Sequence, residues 1–239
     1  MNSKALSTRS IHAGEIDDAF GSPHTPLYTT TTFRFASTAD LLEVVEGRKP
    51  GNLYTRYGMN PTITAAEAKL ASLEGAEAAL LFAAGMAAIS ALFLTHGRRG
   101  IVCLGNLYGG TLELLQEQLP ELGITTHWVL GGERDRVPAL LRSGMSLVFC
   151  ESPANPTLDI TDLDELAQLA HRYSALLAVD NTFASPVNQQ PLALGADFSV
   201  YSATKSLGGH SDLTAGVVCG RKELVEPIRH WRKNLGQTP

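Results

Sequence analysis

The sequence predicts an α/β chain built on a mainly parallel seven-stranded sheet with helices on both faces. Three observations predict it. Seven short apolar runs stand at residues 78–82, 101–104, 125–130, 147–150, 175–179, 198–200 and 215–219; helix-length segments at 110–119, 134–142 and 163–173 separate several of them; and glycines or polar residues follow the runs directly. Strands that alternate with helices are joined by crossovers, which makes neighbouring strands parallel and leaves both sheet faces to be covered. A chain of 239 residues, 44% hydrophobic and 18% charged, can bury a core of that size.

In chain order, residues up to about Thr32 are polar and rich in Thr, Ser, His and Pro without a sustained period, which predicts an extended arm suited to docking on a second subunit. Thr64-Ala-Ala-Glu67 has capping-box spacing and predicts a helix from there to about Glu74. Thr161-Asp-Leu-Asp164 gives a second helix start, ahead of the segment 163–173. Two regions result, an arm and interface segment over 1–61 and a sheet domain over 62–239.

Composition excludes several functions. The net charge of −5 comes from 19 basic and 24 acidic residues that are interspersed, so no basic stripe is available for nucleic acid. Cys103, Cys150 and Cys219 are far apart and form no CxxC pair, which argues against a zinc ribbon or a disulfide framework and for a reducing cytoplasm. The N-terminus has no apolar signal core, and the apolar-rich stretch 76–94 is interrupted by Glu77, Gly85 and Ser90, so neither export nor a membrane span is expected.

Ligands of open α/β sheets sit beyond the carboxyl ends of the strands. After the first run comes Ala83-Ala-Gly-Met-Ala-Ala88, where Gly85 opens a helix whose free N–H groups suit a phosphate, or else makes a plain turn. After the second comes Tyr108 with two glycines, a ring that can stack on a flat ligand or cap the sheet edge. Glu151-Ser-Pro-Ala-Asn-Pro156 follows the fourth run as a stiff loop carrying a carboxylate and an amide. Asp180 closes the fifth run, where a buried carboxylate needs a partner. Tyr201-Ser-Ala-Thr-Lys205 and the glycines beyond it surround Lys205 with hydroxyls and backbone. A phosphate cradle, a stacking aromatic, a buried carboxylate and a reactive lysine together are what pyridoxal phosphate requires.

With these motifs, the chain resembles the Cys/Met-metabolism pyridoxal-phosphate enzymes, the family of cystathionine γ-synthase, the cystathionine lyases, methionine γ-lyase and the O-acylhomoserine sulfhydrylases. The resemblance runs through Thr8-Arg-Ser-Ile-His-Ala-Gly14, Tyr54-Thr-Arg-Tyr-Gly-Met-Asn-Pro-Thr62, Ala84-Gly-Met86, Leu107-Tyr-Gly-Gly-Thr111, Glu151-Ser-Pro-Ala-Asn-Pro156, Asp180-Asn-Thr182 and Ser202-Ala-Thr-Lys205. It implies the fold type I transferase architecture and a homo-oligomer, a tetramer built as a dimer of dimers. It implies that Lys205 forms the Schiff base, Asp180 holds the pyridine nitrogen, Tyr108 stacks on the ring and Asn155 reaches its phenolic oxygen. Gly85, Met86, Ser202 and Thr204 match phosphate ligands, and Tyr54 and Arg56 match a pair that reaches the phosphate of the neighbouring subunit. The implied activity is elimination or replacement at the γ or β carbon of cystathionine, homoserine esters or related amino acids. Leu107-Tyr-Gly-Gly-Thr111 is compatible with the cystathionine enzymes and departs from the cysteine-bearing version typical of methionine γ-lyases.

Family members continue into a C-terminal domain that holds the substrate carboxylate, whereas this sequence stops at Gln237-Thr-Pro239. A non-catalytic cofactor-binding fragment, or a split subunit needing a C-terminal partner, is therefore the alternative expectation. Tyr201 and Lys205 also have the YxxxK spacing of short-chain dehydrogenases, but no GxGxxG is present to hold a dinucleotide.

Overall fold

The computed structural model describes residues 5–239. Each of the seven apolar runs is a strand: β1 Ala78–Phe82, β2 Ile101–Leu104, β3 Thr126–Val129, β4 Leu147–Glu151, β5 Leu176–Asp180, β6 Phe198–Ser202 and β7 Gly216–Gly220. They form one sheet in the order β1-β7-β6-β5-β4-β2-β3, in which β7 runs antiparallel to both neighbours and all other pairs are parallel. Three strands run further than their apolar residues and take Glu151, Asp180 and Ser202 into the sheet. The polar residues that matter are thus fixed by strand pairing rather than by loops.

The helices are α1 Leu6–His12, α2 Thr38–Val45, α3 Pro61–Glu74, α4 Gly85–His96, α5 Gly109–Glu113, α6 Leu119–Glu121, α7 Val137–Arg142, α8 Leu163–Arg172, α9 Ser185–Asn188 and α10 Lys222–Asn234. A single π turn, Leu114–Gln118, joins α5 to α6. Alternate strand residues divide the core: Leu147 and Phe149 face the layer of α4 and α10, while Val148 and Cys150 face that of α7 and α8. On the β1–β7 side, Ala79, Val217 and Cys219 pack under α3. Among the described residues no helix is long and apolar enough to cross a membrane.

Two local expectations are corrected. Residues Leu6–His12 of the arm are helical rather than extended, because α1 lies along α3, where Lys69 Nζ donates to the carbonyls of Ser10 (3.1 Å) and Ile11 (2.7 Å). The helix expected to begin in a capping box at Thr64 begins at Pro61, with Asn60 Oδ1 accepting the Thr62 N–H at 2.8 Å. Glu67 does not reach back to the helix start. It accepts the Leu81 N–H at 3.0 Å and an Arg232 N–H at 2.5 Å, tying α3 to β1 and α10. The expected segment 134–142 is part 3-10 turn, Gly131–Arg136, and part α7. The start signal before α8 works through Asp162, whose side chain accepts the Glu165 N–H at 3.0 Å.

Candidate active site

β1 hands over to α4 through two alanines, and α4 begins at Gly85 with no side-chain cap. The first N–H groups of this helix therefore point beyond the sheet, at the positive end of its dipole. Gly85 is required by its neighbour, since a Cβ there would lie 2.9 Å from Ser202 Cβ and 3.2 Å from Ser202 Oγ. Gly216 is required from the other side, where a Cβ would meet the Ala84 carbonyl at 2.1 Å. The two glycines bring the β1–α4 turn against the ends of β6 and β7.

Beside this turn stand two buried carboxylates. Asp180 Oδ1 accepts the Thr182 N–H at 2.9 Å and the Thr182 hydroxyl at 2.5 Å, and that hydroxyl in turn accepts the Ser202 N–H at 2.8 Å. Burial pushes the Asp180 carboxyl up, with the Thr182 hydrogen bonds acting against it. Glu151 accepts the N–H of Tyr108 at 2.6 Å and of Asn155 at 3.3 Å. Burial, followed by the nearby Asp180, raises Glu151 to about 7.

A cavity of about 250 Å³ opens between these groups. Gly85, Met86, Ser202 and Thr204 line one part of it, and Tyr108, Asn155, Asp180 and Lys205 another. Eight of the ten residues singled out in the sequence thus meet in one place. Lys205 lies in the turn after β6 with an exposed side chain, and its N–H is fixed to the Ser202 carbonyl at 3.1 Å. Tyr108 is half exposed, and its ring occupies the room that a side chain on Gly110 would take, since a Cβ there would sit 2.8 Å from Tyr108 Cε1. The Thr204 hydroxyl also holds the backbone of Ala215, accepting its N–H at 3.0 Å and donating to its carbonyl at 3.2 Å.

Tyr54 and Arg56 do not line this cavity. The Arg56 guanidinium lies over the rings of Tyr54 and Tyr57, at 5.5 and 4.9 Å, and donates to the Lys233 carbonyl at 2.8 Å. Tyr201, the tyrosine of the YxxxK pattern, also points elsewhere. It is 2% exposed, packed on the α3 side of the sheet, with its hydroxyl on Glu74 and accepting from Asn181 at 2.8 Å. It cannot act as an acid beside Lys205, which removes the dehydrogenase alternative. The cavity also takes in Thr182, Phe183 and Thr214, to which sequence reasoning assigns no role, and Glu151, which it marks only as the carboxylate of a stiff strand-end loop. Glu151 closes its apolar run just as Asp180 does, as the last residue of β4.

A sequence profile described as Cys/Met metabolism PLP-dependent enzyme matches residues 7–239. The chain belongs to this family. Relatives in the Cys/Met-metabolism family include an L-methionine gamma-lyase of Fusobacterium nucleatum, 40% identical over 96% of this chain and 58% of its own length. Cystathionine gamma-synthase 1 of Arabidopsis thaliana is 39% identical over 95% of this chain and 41% of its own. The O-succinylhomoserine sulfhydrylase of Pseudomonas aeruginosa is 35% identical, over 100% of this chain and 59% of its own length. Among solved structures, metB from Corynebacterium glutamicum superposes with a TM-score of 0.90 at 39% identity, covering 100% of this chain and 61% of that one. Cystathionine gamma-lyase from Lactobacillus plantarum, complexed with L-serine, gives 0.87 at 35% identity, covering 98% and 60%. The chain therefore spans about three fifths of the length of most of these relatives. The family is pyridoxal-phosphate dependent.

Proposed function

We propose that this chain is the cofactor-holding part of a pyridoxal-phosphate enzyme of sulfur amino acid metabolism, acting by elimination or replacement at the γ or β carbon of cystathionine, homoserine esters or related amino acids. The convergence of Lys205, Asp180 and the start of α4 on one cavity carries the reading. The residues present fit the group. An uncapped helix start packed close against Ser202 suits a phosphate, and a buried carboxylate pushed up by burial is one that gains from a cationic ring nitrogen. Bound there, pyridoxal phosphate supplies an aldehyde that links to amines and a ring that draws electrons from a substrate carbon.

The chain's own residues then have separable tasks. The α4 N–H groups and the hydroxyls of Ser202 and Thr204 hold the phosphate, and Asp180 keeps the proton on the ring nitrogen. Tyr108 and Asn155, both lining the cavity, would hold the ring, Tyr108 against its face and Asn155 toward its oxygen. Lys205 Nζ, exposed at the cavity, takes a proton from one substrate carbon and returns it at another, and Tyr108 assists at the leaving group.

Residues 1–61 form the arm and interface segment of this proposal, and 62–239 the cofactor domain. A homo-oligomer, a tetramer made of two dimers, is supported by Tyr54 and Arg56 lying outside their own cavity and by the exposed Phe20 and Leu27 on the same segment. The reducing cytoplasm is the compartment, supported by three free, buried cysteines. Pyridoxal phosphate uptake by the purified chain tests the cofactor reading. Release of 2-oxobutyrate or pyruvate from cystathionine, and formation of cystathionine, test turnover separately. Uptake without turnover favours a fragment or split subunit that requires a C-terminal partner.

A further inference from the structure

We propose that Glu151 is a positioning residue that locks Tyr108 and Asn155 into one frame around the cofactor ring, a role that rests on the reading of the cavity given above. β2 ends at Leu104, opposite Cys150, so the sheet offers Glu151 no partner on that side. The chain after β2 returns across this gap with Tyr108, and the chain after β4 turns back with Asn155. One carboxylate takes an N–H from each, Oε1 from Tyr108 at 2.6 Å and Oε2 from Asn155 at 3.3 Å. On its other side Glu151 is fixed by register, opposite Asp180 on β5. A ring face, an oxygen edge and the ring-nitrogen carboxylate are thereby referenced to one strand end.

The frame has a specific chemical requirement. Two N–H groups converge on one side chain from opposite loops, and only a carboxylate of this length offers two acceptor oxygens. Glutamine keeps one acceptor and turns a donor toward the second N–H; alanine keeps neither. Neighbouring links do not duplicate the function, because Asn106 Nδ2 joins Thr157 Oγ1 and Asp159 Oδ2, both at 3.1 Å, among exposed side chains at the outer rim. Asp180, Tyr108 and Lys205 line the same cavity as Glu151. Burial pushes its carboxyl up to about 7, a cost that the two backbone donors offset in part.

The test is amide hydrogen exchange on the chain without cofactor, followed by circular dichroism of added pyridoxal phosphate, in the wild type, Glu151→Gln and Glu151→Ala. In Glu151→Ala the Tyr108 and Asn155 amides exchange roughly tenfold faster or more while those of β4 and β5 are unchanged. In Glu151→Gln one of the two keeps its protection. Both variants still take up the cofactor through its phosphate but lose most of the dichroism that a fixed ring acquires. Wild-type exchange at both amides, or wild-type dichroism in both variants, overturns the proposal. If Glu151→Ala does not fold, Glu151→Gln alone decides. A wild type that takes up no pyridoxal phosphate overturns the cofactor reading instead, and the exchange result still decides whether Glu151 holds the two loops.

Discussion

Glu151 and Asp180 stand directly opposite each other at the carboxyl ends of β4 and β5, so two buried carboxylates close the centre of the sheet side by side. Like charges so placed favour protonation of at least one, and Glu151 is pushed up to about 7. Glu74, buried beside Tyr201, is pushed up to about 7 by desolvation, with hydrogen bonds from Tyr201 and Ser199 acting against it.

Glu151 and Glu74 both contribute to a pH dependence of stability. In each, the native state holds a proton that the unfolded chain has released, so the stability contribution is full below about 4.5 and is lost as pH rises through about 7. A shift of this size corresponds to on the order of 3 kcal/mol for a buried group. Urea unfolding is therefore expected to give higher stability at pH 5 than at pH 8, and Glu74→Gln is expected to shrink that difference. An unchanged difference in the variant would place the pH dependence elsewhere.

Gly85→Ala tests the cradle. The new Cβ would meet Ser202 at 2.9 Å, on a side chain anchored in β6, so neither partner yields easily. The substitution is expected to lower stability by about 1–3 kcal/mol and to weaken both pyridoxal phosphate and inorganic phosphate, read by thermal unfolding and by competition. Equal loss of phosphate-free pyridoxal would argue that the helix start does not hold the phosphate.

Arg232 is fully buried and donates through Nη1 to Glu67 at 2.5 Å and to the Leu81 carbonyl at 2.8 Å. Removing one member of a buried pair strands the other charge. Arg232→Met is expected to cost about 3–5 kcal/mol in urea unfolding, and the double substitution with Glu67→Leu less than the two single losses together. Strict additivity would mean that the pair is not coupled.

Arg56 offers a test of assembly. If it serves a neighbour's phosphate, Arg56→Ala and Lys205→Ala chains, each deficient in cofactor uptake, recover part of it when mixed and allowed to exchange subunits. No recovery above the separate values contradicts a shared site.

Much of this was legible in the sequence because parallel strands buried on both faces leave short apolar runs that end in the polar residues of the site. Asp180 and Glu151 both stand out by that logic as carboxylates directly after apolar runs, but the two prolines beyond Glu151 read as a stiff loop, whereas strand pairing opposite Asp180 takes Glu151 into the sheet. Glu67 misled because its spacing from Thr64 is that of a cap, whereas its partner Arg232 is 165 residues away and invisible to local pattern. The helical turn Leu6–His12 was hidden for the same reason, since its contacts are with Lys69 and Ser72 of α3 rather than within the arm. Tyr201 and Lys205 share a motif spacing, yet strand alternation sends the tyrosine to the α3 side and leaves the lysine in the turn beyond.

Whether Lys205 is the residue that links to pyridoxal phosphate is decided by mixing the purified chain with the cofactor, reducing with borohydride and mapping the product by peptide mass. A pyridoxyl adduct on Lys205 is expected, together with a visible absorbance band in the unreduced sample that is absent from Lys205→Ala. Adducts scattered over surface lysines such as Lys49 and Lys222, at the same yield in Lys205→Ala, would contradict it.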